Sequence, residues 1–500
     1  MKRKPLSYRS FLIGLAFVSA LTGCATVINP VTGESERTVL DEPHEIAEGS
    51  KAHQQVLQEY GVYPDTKLQA YVNTLGQRLA RQSHRSNLTW HFTVLDSPEI
   101  NAFALPGGYV YVTRGIMAYL ESEADLAGVI GHEIGHVTAR HGAQRATRQQ
   151  TAGIGVLAAT ILGAVLESQG VSGATDLAGS LSQGVAAGYI ASYSRDQELQ
   201  ADQLGAEYLE RIKYDPKNMV DVIRVLKSQE QFAADTARAE GREAPARGGW
   251  LASHPSNEQR LQEITRIAGQ YKGKYEDEGH DRYLKMIDGM TFGESREQGV
   301  TRGRQFYHEP MGLALTAPEG WRIQNSPEAV AVVNAAGDAA LLLQVAPTKA
   351  GNTHENIIRK VFKPEQGRTE KRSLGGFAAT HFVGTSRTRQ GQVRRIEVTV
   401  VTGPGNRNFM LVPSARDART LQRNREGLQA AEASFRALSS SDMAAARPWT
   451  LQTKPYPRGG FAEMAKRSPL SGNAERELRL INGFYAGGEP PPGRLVKVVE

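Results

Sequence analysis

Apolar residues recur at intervals of three and four between Asp41 and about Ala80, where Ala47, Val56, Leu57, Leu68, Tyr71, Val72, Leu75 and Leu79 share faces, and this spacing predicts helices. Trp90 to Leu95 reads as a strand. A second strand-like run, Tyr109-Val110-Tyr111-Val112, follows the interruption Asn101-Ala102-Phe103-Ala104-Leu105-Pro106-Gly107-Gly108. Helical spacing returns from Leu126 to His141, so the pattern predicts an α+β domain, mainly helical, with a small sheet beside the helix. Ala152 to Leu166 is almost wholly apolar, but these 15 residues contain glycine and fall short of the roughly 20 that span a bilayer. A buried helix or a mobile hairpin is expected there. A further helix is predicted from Arg195 to about Tyr214, and the polar Ala/Arg/Gly-rich stretch 233–249 is expected to be a flexible loop.

The pattern changes beyond about Gly269. Residues 271–304 are charged and punctuated by glycine, as in a linker. Strand-like runs then alternate with turns, among them Val330-Ala331-Val332-Val333, Ala340 to Val345 and Arg395 to Val401, before a helical stretch from Asp417 to Leu438. A second α+β domain over 305–440 is expected. Ser439-Ser440-Ser441 and Pro448 break the chain before a last module over 445–500.

Five hundred residues are enough for two or three such units. The formal charge of +6 does not indicate a nucleic-acid partner, because Lys2, Arg3, Lys4 and Arg9 lie in an N-terminal segment that reads as removable and leave about +2 behind. That segment, over 1–23, has a basic start, the apolar run Phe11 to Leu21, and then Leu21-Thr22-Gly23-Cys24. The last four residues resemble the bacterial lipobox. Cys24 is the one cysteine of the chain, so it has no internal disulfide partner, and lipidation at Cys24 is expected over cleavage as an ordinary signal peptide. Ala25 follows it where an aspartate would differ. By resemblance to sorted Gram-negative lipoproteins, this implies attachment to the outer membrane, facing the periplasm, with residues 24–41 as a tether.

His132-Glu133-Ile134-Gly135-His136 matches the HExxH pattern of zinc-dependent peptide hydrolysis. Residues four apart on a helix lie roughly 40° from one another, so both imidazoles reach one metal and Glu133 stands beside it as a general base for water. A catalytic zinc usually takes a third protein ligand. The position six residues beyond His136 is Gly142, and His141, one place early, falls roughly 140° off the metal face of a continuous helix; it is expected at the surface or behind a ligand. Glu198 and Asp202 are four apart, so one of them can bind zinc while the other accepts a ligand histidine's N–H.

Together with Ser194-Arg195-Asp196-Gln197-Glu198-Leu199-Gln200-Ala201-Asp202 and the Asn101 to Gly108 segment, HEIGH resembles the gluzincin family of the CAAX prenyl protease, HtpX and BepA, over about Glu42 to Ile267. The resemblance implies a zincin-like metallopeptidase domain over 42–268 and one zinc ion per chain. His132, His136 and Glu198 would be its ligands, Glu133 the base, and Asp202 the acceptor behind a histidine. Ser253-His254-Pro255 resembles a further motif of periplasmic members, so that His254 stabilises an oxyanion or occupies the open zinc position at rest. Asn101, Ala102, Phe103 and Ala104 open a segment, continuing to Val112, expected to pair as an edge strand with extended substrate. Arg260 is expected to pair with nearby acidic groups or to be solvated. The 445–500 module resembles a degenerate LysM unit without the Gly-Asp-Thr opening, which makes peptidoglycan a candidate partner. No tetratricopeptide period is present. The expected function is zinc-dependent cleavage of misfolded or unassembled envelope proteins. Its rival is a zinc-stabilised chaperone or scaffold for outer-membrane protein assembly.

Overall fold

A computed structural model describes residues 25–151, 193–239, 241, 254, 258–326, 329–387, 393–470 and 472–500, without the side chains of 149–151. Cys24 and the segment before it, the apolar stretch 152–191, and Ser253 and Pro255 lie outside the described residues. Among the described residues no helix is long and apolar enough to cross a membrane.

The helices expected between Asp41 and Ala80 are α1 (Glu42–Tyr60) and α2 (Thr66–Ala80), separated by a turn at Gly61. Asp41 and Asp65 cap them by accepting backbone N–H groups of the first turn, which satisfies donors that a helix start leaves unpaired. Strands β1 (Ala25–Ile28) and β2 (Ser35–Thr38) form an antiparallel pair, and the small sheet has the order β3 (His91–Leu95), β5 (Tyr109–Thr113), β4 (Ala102–Leu105), with β3 parallel and β4 antiparallel to β5. The edges are therefore β3 and β4. The expected substrate strand ran on to Val112, but Tyr109–Val112 belong to the central strand, whose two sides are already paired.

Helix α3 (Glu123–Thr138) carries HEIGH, and all 16 of its residues are buried. Helix α4 (His141–Thr151) follows it, α5 (Arg195–Arg211) and α6 (Asn218–Ala239) pack against it, and α7 (Glu258–Ala268) packs on α5 and α6. The first part of the expected loop at 233–249 is instead the last turns of α6. Its Asp235 accepts from Arg476 at 2.6 Å and from the Tyr485 hydroxyl at 2.7 Å, so the C-terminal module holds the helix end in place.

Residues 269–304 contribute α8 (His280–Ile287), β6 (Thr291–Phe292) and β7 (Val300–Arg302). Beyond them lies a seven-stranded antiparallel sheet of order β10 (Arg322–Asn325), β11 (Val330–Val333), β12 (Ala339–Val345), β16 (Asn408–Ala415), β15 (Val393–Thr402), β14 (Phe377–Arg387), β13 (Gln366–Leu374). Alternation along the strands sends Ala331 and Val333 to one core with Ile357 and Phe362, and Val330 and Val332 to another with Phe306 and Leu313. That second face is covered by α9 (Arg425–Ala433) and by a four-stranded sheet of β7, β8 (Gln305–His308), β9 (Leu313–Thr316) and β17 (Arg436–Ala437).

The last residues form β18 (Trp449–Pro455) and β19 (Leu495–Val499), which share a sheet with β6, and helices α10 (Gly460–Arg467) and α11 (Ala474–Ile481). Phe461, Leu478, Ile481, Val496 and Val499 join one continuous apolar core with Val129 and Ile130 of α3 and Leu284 of α8. The chain's last strand thus backs the helix that carries HEIGH.

Candidate metal centre

Backbone proximity between α3 and α5 builds the site. A methyl group at Gly135 would stand 3.0 Å from the Ala201 carbonyl oxygen, and one at Gly131 would stand 3.4 Å from the Gly205 Cα. The tight approach at Gly135 lets the two helices close until Glu198 and Asp202, one turn apart on α5, meet His132 and His136, one turn apart on α3. Ser194 and Gln197 close the start of α5 with a reciprocal capping box, which fixes where Glu198 enters.

Four donor atoms converge within 4.8 Å of one another, from His132, His136, Glu198 and His254, all buried. His132 Nε2 lies 3.0 Å from His136 Nε2 and 3.2 Å from His254 Nδ1. Glu198 Oε1 is 3.0 Å from His254 Nδ1 and 3.5 Å from His136 Nε2, and Oε2 is 3.6 Å from His132 Nε2. A tetrahedral zinc with bonds of about 2.0–2.1 Å has edges of roughly 3.3–3.4 Å, and the pairwise distances bracket that value. Imidazole and carboxylate donors in this number suit zinc.

The groups behind the donors are in place. His132 Nδ1 is 2.9 Å from Asp202 Oδ1, so Asp202 accepts the ring N–H and leaves Nε2 as the donor atom. Arg260 donates to Asp202 from Nε at 2.6 Å and from Nη2 at 2.7 Å, and its Nη1 is 2.9 Å from Glu198 Oε2. Arg260 is therefore a buried clamp on both acidic residues, not a solvated charge. Glu133 is fully buried, with Oε1 3.6 Å from His254 Nε2.

Burial governs the titration of the metal-free site. It lowers His136 well below the ordinary histidine value, with the neighbouring histidines adding to the effect, and it lowers His254 to about 3. Both rings are neutral near pH 7, as ligands must be. Burial raises Glu198 to about 7 against the pull of Arg260. Burial also acts to raise Asp202, but Arg260 and His132 together hold it below the carboxylate range.

The family model described as peptidase family M48 matches residues 66–268, which include every group named so far in the site. This segment is similar to M48 peptidases. The chain is 29% identical over 247 residues to the beta-barrel assembly-enhancing protease of Yersinia pestis, a match covering 49% of this chain and 48% of the relative. It is 28% identical over 259 residues to the protein of the same name from Escherichia coli K12, covering 51% and 50%. To the mitochondrial metalloendopeptidase OMA1 of Schizosaccharomyces pombe it is 32% identical over 220 residues, covering 43% and 58%. The chain spans about half the length of the first two of these relatives.

Spacing alone left three features of this segment undetermined. Of the two places expected for His141 it takes the one behind a ligand: it is buried, with Nδ1 2.8 Å from His136 Nδ1 and Nε2 2.9 Å from Gln200 Oε1, because the helix ends and Arg140 turns the chain at φ 58°. Tyr193 stacks on His136 with ring centres 3.9 Å apart, and Arg145 lies over the Tyr193 ring at 5.1 Å. A cleft of about 10 Å³ remains between these groups and Ala104, Leu105 and Pro106 at the end of β4. An aromatic residue just before the Ser194 cap was the available signal, but its partners lie more than 45 residues away in sequence.

Proposed function

We propose that the chain is a zinc-dependent endopeptidase of the bacterial envelope that hydrolyses peptide bonds of misfolded or unassembled proteins. The observation that carries this reading is the convergence of His132, His136 and Glu198 with the carboxyl of Glu133 beside them. A structural zinc site needs no such extra carboxylate. Zinc, when bound, supplies a Lewis acid that acidifies water and polarises a carbonyl. Glu133 takes the proton from the attacking water and hands it to the departing amine nitrogen, while Asp202 holds the His132 ring in the binding tautomer. Strand β4, at the sheet edge beside the cleft, presents backbone groups to an extended substrate, a mode that reads main chain more than side chains and suits unfolded targets.

His254 Nδ1 sits among the ligands, which favours its role as occupant of the open position at rest over that of oxyanion donor. In this state the small cleft admits no peptide, and His254 must withdraw before substrate enters. The same closure is the observation that favours a second reading, a zinc-stabilised scaffold that seldom cleaves. The names of the beta-barrel assembly-enhancing relatives support envelope proteins as targets, and a lipid anchor at Cys24 and a peptidoglycan contact by 445–500 complete the proposed setting. The test is degradation of unfolded casein by the purified chain. Cleavage lost to a zinc chelator and restored by added zinc supports the peptidase; an intact zinc-loaded chain that leaves casein uncut supports the scaffold.

A further inference from the structure

A cavity of about 440 Å³ lies between the end of α1 and the face of the seven-stranded sheet, far larger than the cleft at the metal site. Its size falls within the roughly 300–1,000 Å³ of small-molecule sites, and it sits at a domain boundary, where such sites concentrate. The walls are fixed. Asp96 accepts from Arg114 at 2.6 Å and from Ser295 at 2.8 Å, and its carbonyl accepts from Gln298 at 2.5 Å, which ties the M48-like domain to the loop leading into the middle domain.

The interior is apolar. Leu343 and Phe409 of the sheet and Phe306 of β8 face Tyr60 and Val62 across it. Val62 and Val345 flank it from opposite walls and are 46% and 45% exposed, although large apolar side chains are usually covered. Three lining residues are acidic, Glu59, Asp96 and Glu297, and none is lysine or arginine. An anion is therefore disfavoured.

His308 supplies a polar contact. It is 7% exposed and lies on the same side of β8 as Phe306, with which its ring makes an edge contact. The Met311 N–H points at its Nδ1 at 3.3 Å, an arrangement that suits the tautomer with the proton on Nε2, and the ring also lies within hydrogen-bond reach of its own backbone carbonyl. Burial, helped by Arg407, lowers His308 to about 4, so the ring is a neutral donor; Arg407 itself donates to the Pro310 carbonyl.

We propose that this cavity binds an uncharged acyl ester, with the hydrocarbon chain between the Val62 and Val345 walls and the ester carbonyl accepting the His308 Nε2 proton. The ester fits because it combines an apolar body, a neutral acceptor and no negative charge to meet the acidic lining.

The full chain is titrated with Prodan, an uncharged naphthyl ketone whose emission shifts to the blue in apolar surroundings. Saturable binding of one Prodan per chain is expected, reversed by 1-monolauroylglycerol below its micelle concentration. Laurate at pH 8, equal in chain length but anionic, should compete at least about tenfold less well. Leu343→Trp and Val62→Trp fill the cavity from opposite walls and should each abolish binding with an unchanged melting temperature. Val62 is half-exposed, so its variant carries the test if Leu343→Trp does not fold. His308→Phe keeps the apolar wall and should weaken monolauroylglycerol roughly three- to tenfold, the worth of one hydrogen bond. Absence of Prodan binding, binding that survives both tryptophans, or laurate competing as well as the ester would overturn the proposal.

Discussion

Helix α3 buries charge at both ends, and the two ends resolve it differently. At the N-terminal end Glu121, Glu123 and Asp125 meet cations of the chain itself: Lys497 of the last strand lies 2.7 Å from Glu121, and Arg282 lies 3.1 Å from Glu123. Burial raises Asp125 to about 7, so a proton there completes the balance. At the HEIGH end Arg260 pairs with Glu198 and Asp202, while imidazole nitrogens of His132 and His136 point at one another across 3.0 Å. Four donor atoms of His132, His136, Glu198 and His254 converging at this spacing are what a divalent cation occupies. Buried charge that the protein balances internally is architecture, and buried donors left converging mark a site.

The largest effect that would sharpen this contrast is at the metal end. Glu198→Ala removes a donor and leaves Arg260 half-paired, and zinc affinity measured by competition with a chromophoric chelator should fall by more than about 100-fold. At the other end Lys497→Met leaves Glu121 facing a buried position without its cation. Glu121 is partly exposed, so the expected loss is about 2–3 kcal/mol in urea denaturation, with zinc content unchanged. Loss of zinc from that variant would break the comparison by showing that the two ends act as one.

A smaller effect concerns pH. Glu198 in the metal-free site titrates at about 7, and zinc binds the carboxylate, so below pH 7 binding must expel a proton. Affinity should fall up to about tenfold per pH unit as pH drops from 7 to 5, and this contribution should be flat above 7. A zinc affinity constant across that window would contradict the raised value. Least of all, Arg476→Ala removes a part-exposed contact to Asp235, and a stability loss smaller than that of Lys497→Met is expected in the same denaturation measurement.

The HEIGH face and the Glu198/Asp202 pair were legible in the sequence because helical period alone places residues four apart on one face. The approach of the two helices was written in Gly131, Gly135 and Gly205, which carry no chemistry of their own and are read only once both helices are in view. For His141 spacing left open the surface or a place behind a ligand, and the turn at Arg140, which returns the ring to His136, is what decides for the second. Arg260 and Tyr193 reach the site through contacts between separate elements, for which local spacing has no signal. The strand pattern of 305–440 was legible from alternation and short apolar runs, but the order of the seven strands was not, since β12 pairs with β16 across more than 60 residues. The tie between Lys497 and Glu121 was equally hidden, because it joins positions 376 apart.

The most direct test of the central claim separates holding zinc from using it. In Glu133→Gln every metal donor remains, so the chain should keep about one zinc by mass spectrometry while casein cleavage falls at least about 100-fold. Cleavage at the wild-type rate in that zinc-loaded variant would contradict the account.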